Sequence, residues 1–244
     1  MIFSARGCRG NIYFILKILK ILNFKPRYPK FIFGMSDKNN SCVSPWVALR
    51  GYEPLSLCDW PGKVTAVLFF GGCNLRCPTC HNARLAWEPQ SLPQLDRGMV
   101  LERIDHDKTW LDGLVVSGGE PTILAGLEQV LTTLRVFNLP VKLDTNGLRP
   151  DVVKLVLEKD LVRMVAVDVK GPWGKYPQLT GNKVSSQKAQ KCLEAIFDMA
   201  KKWPNRFIFR CTRVPSLTED DMHEVQTYLP KGFELVEQTF VNVE

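Results

Sequence analysis

From Val64 onward, two hydrophobic periods take turns along the chain. Short, nearly continuous apolar runs occur at Val64–Phe70, Leu114–Ser117, Val141–Thr145, Val162–Val169, Arg206–Thr212 and Phe233–Val236. Runs of this length and density predict strands buried on both faces. Between them the spacing becomes helical. Leu124, Leu127, Leu131 and Leu134 form one stripe, and Ala189, Cys192, Leu193, Ile196, Phe197 and Ala200 form another within Lys188–Lys202. Asp151–Glu158 follows Pro150, and Arg97–Asp107 is a weaker helix between the first two strands. Thr218 can cap a last helix, with Glu219, Asp220 and Asp221 in its first turn and Met222, Val225 and Leu229 facing inward. Six strands with helical crossovers predict an α/β fold with a parallel sheet in one domain.

In such folds ligands bind at the carboxyl ends of the strands. Here those ends read Gly-Gly-Cys, Ser-Gly-Gly-Glu, Asp-Thr-Asn-Gly, Asp-Val-Lys and Arg-Cys-Thr. Ordinary loop chemistry accounts for one or two such ends but poorly for five in succession.

Composition changes the picture only at the amino terminus. With 45% hydrophobic and 23% charged residues over 244, the chain is of ordinary globular type. Its formal charge of +7 resides in residues 1–34, which hold Arg6, Arg9, Lys17, Lys20, Lys25, Arg27 and Lys30 and no acid. The remainder is balanced, so no nucleic-acid surface is indicated. Lys17 and Lys20 interrupt the apolar stretch Asn11–Phe24, which leaves it short of the ~18 residues of a membrane span. Residues 1–34 therefore read as a basic apolar extension: a surface helix, a targeting segment, or sequence upstream of a start at Met35. Residues 35–46 read as a polar linker, and 47–244 as the folded body.

Eight cysteines are present, three of them crowded as Cys73, Cys77 and Cys80. A disulfide framework would be spread and paired in a smaller chain, so cytoplasmic thiols are expected. Cys58, Cys192 and Cys211 are expected to be buried as small apolar groups. Three thiolates on one short loop can bind an iron–sulfur cube and leave one iron open. Zinc, with His81 as the nearby fourth ligand, and a redox Cys77/Cys80 pair are the alternatives; the second leaves Cys73 unexplained.

The C-x3-C-x2-C run after a first strand resembles the motif of radical S-adenosylmethionine (SAM) enzymes. The resemblance extends from about Val47 to the C-terminus. It includes Leu-Cys-Asp-Trp-Pro-Gly, Cys-His-Asn, Ser-Gly-Gly-Glu-Pro, Leu-Asp-Thr-Asn-Gly, Val-Asp-Val-Lys and the segment from Lys175 and Tyr176 to Thr180 and Gly181. Together these are similar to the glycyl-radical-enzyme activating proteins, and most to those of anaerobic ribonucleoside-triphosphate reductase. The resemblance implies a partial (β/α)6 barrel of radical SAM type. It implies one 4Fe–4S cluster on Cys73, Cys77 and Cys80, whose open iron chelates SAM. Reductive cleavage would give methionine and a 5′-deoxyadenosyl radical, which takes hydrogen from a glycine of the partner. A flavodoxin- or ferredoxin-type reductant would supply the electron. Residues 81–116 contain no cysteine, so a second cluster is not expected.

Position by position, Gly118 and Gly119 would let backbone approach the methionine amino group, and Glu120 would close that turn. Asp144, Thr145 and Asp168 match positions that hold a monovalent cation near the SAM carboxylate in some activases. Arg210 resembles the arginine that pairs with that carboxylate, a match for its two-pronged donor. Lys170 and His81 are the candidate catalytic residues. Thr79 stands where the family commonly has an aromatic residue against adenine, which leaves His81 or Phe70 for that contact. The turn Asp59–Gly62 is expected at the barrel mouth, open to a partner. Each residue alone has a plain alternative as a cap, a loop histidine or a surface ion pair. A small-molecule radical SAM enzyme of the 7-carboxy-7-deazaguanine synthase type, and a non-catalytic iron–sulfur or zinc module, are the alternative functions.

Overall fold

The computed structural model describes residues 44–241. The basic extension 1–34 and the first part of the 35–46 linker lie outside the described residues. Trp46, at the end of that linker, is 3% exposed and packs on Phe70 with ring centroids 6.0 Å apart. The folded body thus begins at or before Pro45.

Seven strands form one sheet: β1 Leu49–Ser56, β2 Thr65–Phe70, β3 Gly113–Gly118, β4 Val141–Thr145, β5 Met164–Asp168, β6 Phe207–Arg213 and β7 Leu235–Thr239. They lie side by side in chain order. β2 to β7 are parallel, as the hydrophobic runs predict, and β1 adds an antiparallel edge. The seventh strand is a correction to the expected six. Leu49–Ser56 contains Gly51 and Pro54 and pairs irregularly, with register shifts after Leu49 and Glu53. It lacks a clean period of two, and an edge position is where a strand proline is tolerated. The last strand also lies later than Phe233–Val236, at Leu235–Thr239.

The helices are α1 Ala83–Trp87, α2 Arg97–Asp107, α3 Leu127–Leu134, α4 Pro150–Glu158, α5 Tyr176–Leu179, α6 Ser186–Lys202 and α7 Glu219–Tyr228. The Thr218 side chain caps α7 in a reciprocal capping box with Asp221. One face of the sheet packs on the helices: Leu114, Val116, Leu143, Val165, Val167 and Phe209 share a core with Val130, Val153, Ile196 and Val225. The intervening residues of the same strands turn the other way. Among them, Val67 and Val115 pack with Trp60, itself 4% exposed, at the ends where the parallel strands begin. Polar residues occupy the inner face at the other end.

Candidate functional site

The twelve residues singled out from sequence, Cys73, Cys77, Cys80, His81, Gly118, Gly119, Glu120, Asp144, Thr145, Asp168, Lys170 and Arg210, all line one cleft of about 230 Å³ at the carboxyl ends of the strands. Thr79 lines it too, as do Ser117, Asn146 and Gln238.

The cysteine loop is fixed to the strand ends mainly by backbone. Gly119 N–H donates to Phe70 O (2.9 Å) and Glu120 N–H to Gly72 O (2.8 Å). A Cβ on Gly118 would stand 2.1 Å from Phe70 O, and one on Gly119 would stand 2.0 Å from Gly72 O. The two glycines are therefore required by the approach of two backbones, a different reason from the approach of a ligand. On its far side the loop rests on the turn after α5. Arg76 N–H donates to Thr180 O (3.2 Å), and Gly181, at φ +66°, has room for no Cβ against Arg76 O. Asn146 Nδ2 donates to Asn74 Oδ1 (2.8 Å), a third tie, from the end of β4.

Glu120 is buried, and its hydrogen-bond partners are all donors. Oε1 accepts from Thr122 N–H (3.0 Å), from the Thr122 hydroxyl, and from Thr145 Oγ1 (2.7 Å); Oε2 accepts from Asn146 N–H (2.6 Å). Burial raises its pKa above the ordinary carboxylate range, although these four hydrogen bonds pull it down. Its side chain joins the β3 and β4 ends.

Asp144, Asp168 and Arg210 come from three adjacent strands, with Asp168 and Arg210 in direct register. Arg210 holds Asp168 Oδ1 through Nε (2.9 Å) and Nη2 (2.8 Å), and its Nη1 lies 3.6 Å from Asp144 Oδ2. Lys170 Nζ is 3.3 Å from Asp168 Oδ2. Burial alone would raise the Asp168 pKa, but the Arg210 and Lys170 charges outweigh it and hold the group at about 2. Lys170 stays charged: burial opposes its charge, and Asp168 restores it.

Lys142 is a residue that sequence reasoning missed. It sits two positions before Asp144 on the inward face of β4, its side chain is 1% exposed, and its Nζ pairs with Asp144 Oδ1. The alternation Val141-Lys142-Leu143-Asp144 carries the signal that could have found it. The monovalent cation expected at Asp144, Thr145 and Asp168 does not fit this arrangement. The Asp144 oxygens accept from Lys142 and Ser117, and those of Asp168 from Arg210 and Lys170, while the Thr145 hydroxyl donates to Glu120.

All three cysteines line the cleft, where a cluster would take them as thiolates. Burial raises the Cys73 thiol to about 11 and also raises Cys77, against a lowering by Lys170. Leu75 N–H already points at Cys73 Sγ (3.4 Å). Among the described residues no three His, Cys, Asp or Glu side chains are grouped for a single ion. Ligands of an iron–sulfur cube each take a different iron and stand farther apart.

Other expectations are corrected. Phe70 is 1% exposed, packed in the helix-side core and absent from the cleft wall, so it cannot meet adenine there. Cys58 is exposed, because the turn after β1 faces outward; Cys211 is buried, and Cys192 is part-buried against the core. The Asp59–Gly62 turn lies between β1 and β2, at the ends opposite the cysteine loop, with Trp60 turned inside. His81 is at the cleft rim, with Nε2 2.6 Å from Val241 O and its ring beside Phe240.

The family model for the radical SAM superfamily matches residues 67–229, which include the three cysteines and the carboxyl ends of β2 to β6. The chain belongs to the radical SAM superfamily. Membership implies a 4Fe–4S cluster and SAM as cofactors, and makes the protein an enzyme of oxidoreductase type. A relative from Methanocaldococcus jannaschii, provisionally named a glycyl-radical enzyme activating enzyme, is 34% identical over 72% of this chain and 73% of its own length. The 7-carboxy-7-deazaguanine synthase of Hyperthermus butylicus is 29% identical over 57% of this chain and 60% of its own. Streptococcus suis SuiB, in a crystal structure bound to SAM, shares the fold at a TM-score of 0.52 with 14% identity, over 72% of this chain and 42% of its own. Among the described residues of this radical SAM protein, no helix is long and apolar enough to cross a membrane.

Proposed function

We propose that the protein is a radical SAM activase that installs a glycyl radical on a partner enzyme, anaerobic ribonucleoside-triphosphate reductase. The observation that carries this reading is the convergence of all twelve sequence-selected residues on one cleft. Cys73, Cys77 and Cys80 would hold the cluster. Bound and reduced, that cluster supplies one electron to the sulfonium of SAM. The chain positions the cofactor. Arg210, fixed by Asp168, offers its guanidinium to the SAM carboxylate, and Lys170 adds a second cation on the same side. The Gly118–Glu120 turn forms one wall, and Thr79 and His81 lie along the rim where adenine would rest. A flavodoxin- or ferredoxin-type protein is the proposed electron donor.

The shape of the barrel favours a macromolecular substrate. Among the described residues β1 pairs only with β2 and β7 only with β6, so the sheet does not close on itself. An opening of this kind admits a loop of a partner, and the activating-enzyme relative has the higher identity and coverage. The synthase match is the ground for a second reading, in which a small pterin-like molecule is the substrate. Anaerobic reconstitution tests both, with about four irons per chain expected. Reduction with SAM should yield methionine and 5′-deoxyadenosine, and added reductase should develop a glycyl-radical resonance. Turnover of a pterin-like substrate without that resonance would favour the second reading. One bound zinc with no SAM cleavage would leave only a binding module.

A further inference from the structure

We infer that Lys142 supplies from within the chain the positive charge that balances Asp144 beneath the cofactor cleft, so that SAM binding here needs no monovalent cation. The inference rests on reading the cleft as the SAM site.

The geometry is that of an internal cation. Lys142 and Asp144 are two residues apart on one strand and project to the same inner face. The ammonium is buried to 1% exposure under the cleft and pairs with Asp144 Oδ1. The other Asp144 oxygen receives Ser117 Oγ at 3.1 Å and faces Arg210 Nη1 at 3.6 Å. Arg210 and Lys170 then share Asp168. Asp144 and Asp168 thus meet three cations in direct contact, with Asp59 acting on Arg210 from farther off, and of those cations Arg210 and Lys170 line the cleft, where an anionic carboxylate would bind.

Without the Lys142 ammonium, Asp144 would be balanced by Arg210 alone. The guanidinium would be drawn deeper, away from the ligand, unless a small cation entered beside Asp144. An ammonium and a potassium ion are similar in size and equal in charge. The tethered ammonium differs in being present at every salt composition. Lys142 is accordingly a positioning residue: it touches Asp144 and acts on the ligand through Arg210.

The test measures SAM affinity of the anaerobically reconstituted holoenzyme at fixed ionic strength, with either potassium or tetramethylammonium as the only added cation. Wild-type affinity should agree within about twofold between the two salts. K142M keeps an unbranched apolar stem and leaves Asp144 with Ser117 and Arg210. It should bind SAM about tenfold more weakly in tetramethylammonium, and potassium should recover part of that loss. Wild-type binding that requires potassium overturns the inference, whatever the variant does, and decides the matter if K142M does not fold. A variant that binds as wild type does, or whose loss potassium leaves untouched, overturns it as well. Absence of SAM binding by wild type in both salts overturns the cofactor reading itself, a result distinct from binding that depends on the cation.

Discussion

At residue scale the cleft is governed by a few groups whose neighbours leave them little choice. Asp168 is the clearest. Its carboxyl, held at about 2 by Arg210 and Lys170 against the opposing effect of burial, titrates below its unfolded value of ~3.9. A depressed folded pKa stabilises the native state above the unfolded pKa and ceases to do so as pH falls through the folded one. D168N should therefore be less stable than wild type at pH 7. The gap should narrow below about pH 4 and vanish only below about pH 2, as followed by denaturant unfolding across that range. A gap unchanged down to the acid limit would assign the stability to something other than the ion pair. Gly119 is constrained by space instead of charge. In G119A the new Cβ would stand 2.0 Å from Gly72 O, so one backbone must move. A loss of about 1–3 kcal/mol is expected, together with fewer irons retained per chain. Undiminished stability would mean that the loop yields freely.

At the scale of elements, what could be read in the sequence depended on whether a residue's neighbours were local. The parallel strands and α2 were legible because burial on one or both faces imposes a period on the residues themselves. β1 was not, since an edge strand with Gly51, Pro54 and two register shifts has no period to offer. Lys142 was overlooked inside an apolar run although its alternation with Asp144 was present, because the pair is completed by Ser117 and Arg210, which reach Asp144 from other strands. The glycines of the β3 turn were correctly singled out, but their reason lies in Phe70 and Gly72, some fifty residues away, which only the fold brings near. Glu120 connects elements in the same way. Its four donors come from the turn after β3 and from β4 and its exit. E120Q preserves the shape but places an amide donor where donors already converge. It should cost about 1–3 kcal/mol, measurable as a lower denaturation midpoint, and should loosen the Asn74–Asn146 contact to the cysteine loop. Equal stability of E120Q and wild type would show that one oxygen suffices for the tie.

On the scale of the whole molecule, the cysteine loop is fastened to a body that folds for other reasons. The core between sheet and helices is formed mainly by residues such as Leu114, Leu143, Val165, Phe209, Val130 and Ile196, to which the loop adds the single side chain of Leu75, with Cys73 and Cys77 packed at its edge. The loop's own ties run through Gly72 O, Arg76 N–H and Asn74, and none of these three is a thiol. C77A should therefore abolish cluster assembly and SAM cleavage while the far-ultraviolet circular dichroism stays that of wild type. Cys77 is part-buried, so removal of one sulfur should cost no more than about 1 kcal/mol of apo-protein stability. Comparison of apo wild type with C77A separates the two contributions, since neither carries iron. If C77A unfolds where apo wild type does not, the thiol itself supports the barrel. If both are folded and only wild type takes up iron and cleaves SAM, the division between a self-sufficient barrel and a loop shaped for its cofactor holds, and the chemistry can be altered at the loop without disturbing the fold that presents it.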